Sequence, residues 1–560
     1  MKSKALRILY FAIILNIFSC DDFLNINEDP NNPEEVPVVL LLPSVQVDMA
    51  GALGSGSGGL SSTAMTYMHQ IVQRDGSLND YAPLGDDFGI TTPWNVLYSR
   101  ALMDIERMIQ QANEIEAPHY AGIGKIMKAY IYSVLVDMYA DVPFSEANQG
   151  VENPNPVYEP GETIYPRLFT LLDEGIADLA KESSASPGDD DLIYAGELPL
   201  WRKFAKTVKL KMYNQIRLVQ DVSAPVNALI AEDDLIEDED GDFQLAYNAS
   251  ISPDTRHPAY VQEYAPGTAQ FYISPYFYET LANLNTFGHR DYGALIDMPD
   301  PRMPYYFYNQ IGEVSADESP ENPCSYCFGF TDPNTGDFIV KVPELAGTGM
   351  VSIYQFSLNI DPTEGYDQSA SQTLAGLYPI GGRFDDGEGG AANFNGNPTV
   401  PQRLLTYYAR KFIEAELFLE GVATGDARAA FEEAVNASFS KVNQVAASVD
   451  VPEMDEADVA DYIGEVMAAY DTADTAGKLE HIITQKWIAS FGTGFDLYTD
   501  YRRTGFPALH DGNTDNLSVT IRSRDFPNSL PWPSANLSIN SSAPGQKLVA
   551  SEEARPFWME

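Results

Sequence analysis

Apolar residues recur at helical spacing over most of the chain. Leu97, Ala101, Ile105, Met108 and Ile109 mark one helix, and Ile123, Met127, Tyr130, Ile131, Val134, Leu135 and Met138 mark a longer one. The second should stop at Val142-Pro143, because the residue before a proline is pushed out of the helical region. PRLFTLLDEGIADLAKES followed by LWRKFAKTVKLKMYNQIRLV reads as another helix pair, and LLTYYARKFIEAELFLEGVATGD followed by ARAAFEEAVNASFSKV as one more. Small residues such as Ala415, Gly421, Ala430 and Ala434, with Phe431 among them, suit tetratricopeptide-like packing, in which small side chains admit a neighbouring helix's bulky ones. The repeats are degenerate and irregularly spaced, so the pattern predicts a helical-pair scaffold rather than a regular solenoid. Between Ala246 and Pro401 the periodicity fades except near Tyr276 to Leu284, while Pro, Gly, Asn, Asp and aromatic residues become dense. Long irregular segments of this kind are where recognition usually sits.

The first residues follow a different pattern. Lys2, Lys4 and Arg7 precede an apolar run, Ile8 to Phe18, of signal-sequence length and too short to span a bilayer as a helix, which needs ~20 apolar residues. Ile17-Phe18-Ser19-Cys20 then resembles a bacterial lipobox, which makes Cys20 the expected lipidation site; the competing reading is an ordinary signal peptide with a chance cysteine. Residues 1–19 are read as a lipoprotein signal peptide. No later segment is long and apolar enough to cross a membrane, so a lipid anchor is the expected attachment. Cys324 and Cys327, in the Pro-bounded loop PENPCSYCFGF, are outside the cytoplasm most simply a local disulfide. No further ligands follow at zinc-finger spacing.

Charge narrows the partners. With 81 acidic and 34 basic residues the formal charge is -47, which argues against nucleic acid because phosphate neutralisation needs a basic surface. At 44% hydrophobic and 11% aromatic the chain still has material for a large core, so the acidity decorates a folded surface. No linker divides it, and residues 20–560 are expected to form a single domain, with 20–245 and 402–560 mainly helical and 246–401 loop-rich.

Motifs for catalysis or cofactors fail on their context. Gly54-Ser-Gly56-Ser-Gly-Gly59 matches the dinucleotide fingerprint letter by letter but lies in no strand-turn-helix unit, and a flexible Gly-rich loop is the expectation. An EF-hand alignment over the acidic run Asp233 to Asp242 puts Phe243 where glycine is required; a solvated helix end is the reading, with adventitious calcium the alternative. No H-E-x-x-H or G-x-S-x-G occurs, and acid pairs such as Asp385-Asp386 arise by chance in so acidic a chain. No enzymatic activity, cofactor or resident metal is expected.

CDDFLNINEDPNNP, KIMKAYIYSVLVDMYADVPFSEA, LWRKFAKTVKLKMYNQIRL, DPRMPYYF and TQKWIASFGTGFDLYTDYRRTGFP resemble, in order and across essentially the whole mature chain, segments of the SusD/RagB family of Bacteroidetes outer-membrane nutrient-binding lipoproteins. The resemblance implies a mainly α SusD-like fold in which four tetratricopeptide-like helix pairs form a scaffold beside a loop-rich variable subdomain. It also implies a place at the outer membrane, facing the exterior, over a SusC-type TonB-dependent transporter that receives an oligosaccharide or peptide, with acidic Asp21 and Asp22 resembling the family's surface-export signal. A tetratricopeptide-type scaffold that binds only protein, and a surface glycan hydrolase, are the competing classes.

Sugar rings present apolar C–H faces rimmed by hydroxyls, so a sugar site pairs aromatic platforms with hydrogen-bonding side chains. Two stretches offer that mixture. One carries Arg74, Asp75, Asn79, Tyr81 and Trp94; the other, rich in aromatics from Phe271 to Tyr308, carries Tyr272 and Tyr276. Trp94 is equally a core residue on this reading, and Tyr305, Tyr306 and Tyr308 suit packing better than binding. Trp487, Trp532 and Trp558 sit in framework segments.

Overall fold

The computed structural model describes residues 36–559 except 57, 74–80, 285–295, 311–329, 332–337, 340–349, 353–371 and 510–524. The lipobox with Cys20, and the pair Cys324 and Cys327, lie outside the described residues.

The chain opens with α1 (Val38–Leu53) and α2 (Leu60–Tyr67), followed by the short strand β1 (Ile71–Gln73). Next come α3 (Phe88–Val96), a π-helical turn Leu97–Ala101, α4 (Leu102–Glu114) and α5 (Pro118–Tyr139). The helix predicted from Leu97 thus begins nine residues earlier, at Phe88, with the π turn at the junction. Helix α5 ends where expected: Ala140 takes a positive φ of 64° and Val142–Pro143 forms β2, paired with β3 (Tyr158–Glu159). The remaining scaffold helices are α6 (Gly161–Leu179), α7 (Leu198–Ile216) and α8 (Ser223–Glu232). The strand β4 (Phe243–Leu245) leads into the loop-rich part, with α9 (Pro258–Tyr264), β5 (Phe271–Ile273), α10 (Pro275–Ala282), β6 (Phe307–Asn309), β7 (Phe330–Thr331), β8 (Phe338–Ile339) and β9 (Thr373–Ala375). After β10 (Gln402–Leu405) the chain returns to helices: α11 (Tyr407–Leu419), α12 (Ala427–Ala447), α13 (Glu456–Thr472), α14 (Thr475–Ala489) and α15 (Phe495–Thr504).

Sequential helices pack as pairs, α4 on α5, α6 on α7, α11 on α12 and α13 on α14. Small residues make the close approaches: a β-carbon added at Gly122 of α5 would lie 2.8 Å from the carbonyl of Gly175 in α6, and one at Gly175 would lie 2.7 Å from Ile126. Ala415, Ala430 and Ala434 are buried between α11 and α12 as the pattern predicts. Gly421 is the exception: it has φ 69° with open space around it, so it serves the turn after α11 rather than the packing. Carboxylates and a hydroxyl cap the later helices, Thr406 on the amide of Ala409 (3.3 Å), Asp426 on Ala429 (3.1 Å) and Asp474 on Gly477 (2.9 Å).

Strands occur only as two-stranded ladders among the described residues. One ladder organises the rest: β10 runs antiparallel to β4 with Gln402 opposite Leu245, so the segment 246–401 leaves and re-enters the scaffold at one point. Part of that segment has its own small core around Tyr260, Tyr264, Tyr308 and Leu374. Another part docks into the main core, where Phe277 meets Trp487 (ring centroids 4.8 Å apart) and Phe491 (4.9 Å).

Two of the motifs quoted above prove to be internal braces. In DPRMPYYF, Arg302 is buried and holds Asp300 through Nη2 (2.6 Å) while reaching Ser438 of α12 (3.0 Å) and Gln485 of α14 (3.2 Å). In DYRRTG, Arg503 is clamped between Glu416 of α11 and Asp500 (2.6 Å), Arg217 at the C-terminal end of α7 adds a second ion pair to Glu416 (2.7 Å), and Lys486 pairs with Asp500 (2.7 Å). Arg502 reaches the carbonyls of Asp137 (2.7 Å) and Asn528 (2.6 Å), its guanidinium 3.8 Å from the Tyr498 ring centroid. Tyr305, Tyr306 and Tyr308 are buried as expected, and so are Trp487, Trp532 and Trp558.

The Gly-rich connection between α1 and α2 is buried rather than flexible. Gln402 accepts from the amide of Ser55 (2.9 Å), Ser62 accepts from Gly56 (2.9 Å), and a β-carbon at Gly54 would strike Gln402 at 2.5 Å. A helix precedes it instead of a strand, so the fingerprint is coincidental. The acidic run likewise ends in a capped turn, Asp238 accepting from the Gly241 amide (3.1 Å).

Candidate functional site

The two stretches picked out by residue chemistry are joined by a ladder. β1 and β5 are antiparallel, with Ile71 opposite Ile273, Val72 opposite Tyr272 and Gln73 opposite Phe271. Arg74, Asp75 and Asn79 lie outside the described residues, but both ends of their segment are placed. Gln73 sits beside Phe271, and the chain resumes at Tyr81.

Tyr81 anchors that second end. Its hydroxyl bonds His69 Nε2 (2.6 Å), the two rings stack 5.9 Å apart, and Phe526 meets Tyr81 edge-on at 5.1 Å. Tyr276 closes the other side, edge-on to His69 at 6.2 Å, with its hydroxyl donating to the carbonyl of Ala508. His69 and Tyr81 both have positive φ, 53° and 59°, a conformation unusual for non-glycine residues that clusters at functional sites. The aromatic residues expected to be platforms are therefore mostly supports. Tyr81 is 8% exposed and Tyr272 fully buried, which leaves Tyr272 no face for a ligand. Trp94 is also removed from the site: it lies inside α3 at 2% exposure, packed against Tyr98 (4.7 Å) and Tyr139 (5.0 Å), because Pro93-Trp94 turns inward on the helix that the sequence reading began too late.

Beside Tyr81 an open trough of 790 Å³ runs along residues 81–86, walled on its far side by Asp525, Pro531, Ser534 and the stretch Gln546 to Ala550. Leu84 is 60% exposed and supplies an apolar surface there. The walls are fitted closely, since Ser534 donates its amide to Gly85 (3.0 Å) and a β-carbon at Gly85 would meet the Trp532 carbonyl at 2.6 Å. Lys547 lies over the Trp532 ring at 4.3 Å and donates to the carbonyl of Tyr139 (2.5 Å); burial pulls its amine down to about 7. Asp86, Asp525, Ser534, Gln546 and Lys547 were missed in the sequence. They carry no local signal, and four of them come from residues 525–547, more than 400 residues after Tyr81 in the chain.

What the arrangement offers is hydrogen-bonding groups of both kinds along an aromatic-backed trough. Among the described residues no cluster of His, Cys, Asp or Glu could hold a metal ion, and no helix is long and apolar enough to cross a membrane. A family model described as SusD-like, starch-binding associating with outer membrane, matches residues 30–326 and 366–527. This chain belongs to the SusD-like family. The unmatched SusD-like positions 327–365 fall in the loop-rich segment. Solved structures agree in fold. A SusD homolog from Bacteroides fragilis is 19% identical with a TM-score of 0.65, covering 93% of this chain and 99% of that one. A SusD/RagB protein from Bacteroides thetaiotaomicron is 21% identical with a TM-score of 0.62 over 91% and 95%. A chitin-binding SusD homolog from Flavobacterium johnsoniae is 18% identical with a TM-score of 0.60 over 92% and 98%. No curated protein sequence matches. The SusD-like fold is thus mainly helical as expected, and the family is one of nutrient-binding proteins associated with the outer membrane.

Proposed function

We propose that the chain is a surface lipoprotein, anchored through Cys20, that captures an oligosaccharide and delivers it to a SusC-type TonB-dependent transporter over which it acts as a lid. The observation that carries the reading is the β1–β5 ladder, which sets Gln73 beside Phe271, while Tyr81, where the described chain resumes, borders the trough. Arg74, Asp75 and Asn79 would then supply hydrogen bonds to sugar hydroxyls, with Tyr81 and Tyr276 fixing the site from behind. The family's description as starch-binding and the chitin-binding name of one similar structure favour a glycan over a peptide. In the lid mechanism, ligand shifts the pair of proteins toward a closed state by binding that state more tightly.

The test is titration of the purified lipid-free chain with a panel of glycans and peptides. Asp75→Ala and Tyr81→Ala should each weaken the glycan that binds; retention of full affinity in both would reject the site. Cross-linking the chain to its transporter across their rim should abolish uptake, and unchanged uptake would sink the lid.

A further inference from the structure

A second cleft, of 730 Å³, lies where α1, α3 and the buried Gly-rich connection face residues 245–262, and it shares no lining residue with β1, β5 or the trough. We infer that this cleft is a separate binding site for a neutral oligosaccharide, seated on Phe88. The inference rests on the carbohydrate-binding reading above.

Its volume falls within the ~300–1,000 Å³ range of small-molecule sites. Phe88, the first residue of α3, is 60% exposed although it is a large apolar side chain on a well-packed helix. One edge of its ring is held by the connection, since a β-carbon at Gly58 would come within 3.3 Å of Phe88 Cε1 and 3.0 Å of Thr92 Cγ2. The rest of the ring remains open, as an aromatic platform for a sugar's C–H face requires. The glycines have a role here that the failed nucleotide motif does not explain: they keep the floor low enough for Phe88 to stand above it.

The facing wall supplies fixed hydrogen-bonding groups. Arg256 is held by Asp254 through Nε (2.9 Å) and Nη2 (2.8 Å) and lies 5.4 Å from the Phe394 ring centroid, with no hydrogen bond from Nη1 among the described residues. Asn248 accepts through Oδ1 from the amide of Ser250 (2.9 Å) and from the Thr255 hydroxyl, with no hydrogen bond from Nδ2 among the described residues. These donors are oriented before any ligand arrives, so little rotamer freedom is lost on binding. Charge selects the class. Both arginines of the cleft are neutralised, Arg256 by Asp254 and Arg100 by Asp48 (2.5 Å), and the chain's net charge of -47 repels acidic glycans.

Maltohexaose and chitohexaose are the probes, titrated into the lipid-free chain by calorimetry, with hydrogen exchange of residues 51–59 and 246–262 followed in parallel. Gly51→Trp fills the cleft from α1, where an added β-carbon meets nothing within 4 Å, and Phe88→Ala removes the platform. At least one probe should protect both exchange segments. Each variant should lower that probe's affinity at least fivefold without moving the thermal midpoint, and Asp75→Ala should leave the protection in place. Binding by the unaltered chain that neither variant changes, or protection lost in Asp75→Ala, overturns the second site while the main reading stands. No binding of either probe by the unaltered chain overturns the inference, and failure across a wider glycan panel would take the main reading with it.

Discussion

The helical scaffold and the candidate site handle polar groups in opposite ways. Between α7, α11, α14 and α15, five charged side chains are buried together, and each finds a partner of opposite sign: Arg217 and Arg503 on Glu416, Arg503 and Lys486 on Asp500. Around the trough Asp86, Asp525 and Gln546 are exposed, and what is buried is the aromatic support behind them together with the amine of Lys547. Buried pairs fix one arrangement of helices because removing either partner strands a charge in low dielectric. Rim groups remain open to exchange water for ligand. The segments that look most distinctive in the sequence, DYRRTG and DPRMPYYF, are therefore braces.

The contrast is most exposed to Arg503→Leu, which leaves Glu416 and Asp500 short of a partner. It should cost about 3–5 kcal/mol of stability in chemical denaturation; a loss below ~1 kcal/mol would show that the buried charges are not coupled. Asp137 comes next. It is fully buried, accepts from Tyr165 and from Trp558 Nε1 (3.0 Å), and burial holds its carboxyl up at about 6. A carboxyl raised in the folded chain contributes stability below its unfolded value of ~4 and loses it as pH rises through 6, on the order of 3 kcal/mol. Stability curves of Asp137→Asn and the unaltered chain should therefore differ in slope between pH 4 and 6 and run parallel above 7. At the site the sign of the comparison reverses. Asp75→Ala should weaken glycan binding about tenfold, ~1.4 kcal/mol, while shifting stability by less than ~0.5 kcal/mol. A larger stability loss would make Asp75 a brace as well. Tyr81→Phe, which strips one hydroxyl from His69, should cost about 1 kcal/mol in stability, read from the denaturation midpoint. The smallest effect is a gain: Gly464 is exposed in mid-α13 with open space around it, and Gly464→Ala should stabilise by about 0.5–1 kcal/mol.

Helical periodicity made the scaffold readable because each pair buries one face, and that requirement writes a 3.6-residue spacing into α4 to α7 and α11 to α12. It did not reveal α1, ten of whose sixteen residues are buried so that little polar face marks the period, or the π turn that hid the start of α3. Of the candidate site, residue chemistry marked two segments but not the side chains that wall the trough. Residue type identified the segments around Asp75 and Tyr276, and the ladder that joins them has no signature in three-residue strands. Lys547 and Gln546 illustrate a harder limit, since a wall contributed from the far end of the chain is invisible to any window of sequence.

The β4–β10 ladder has a consequence for how such a chain can vary. With Leu245 opposite Gln402, the scaffold meets the whole excursion from 246 to 401 as it would meet a hairpin turn. Closing a longer or shorter excursion there changes the chain entropy only slowly, by roughly 0.6 kcal/mol per doubling of length. Provided that Arg302 and Phe277 still reach their partners on α12 and α14, the loop-rich part is free to lengthen, shrink or be exchanged while every helix register stays as it is.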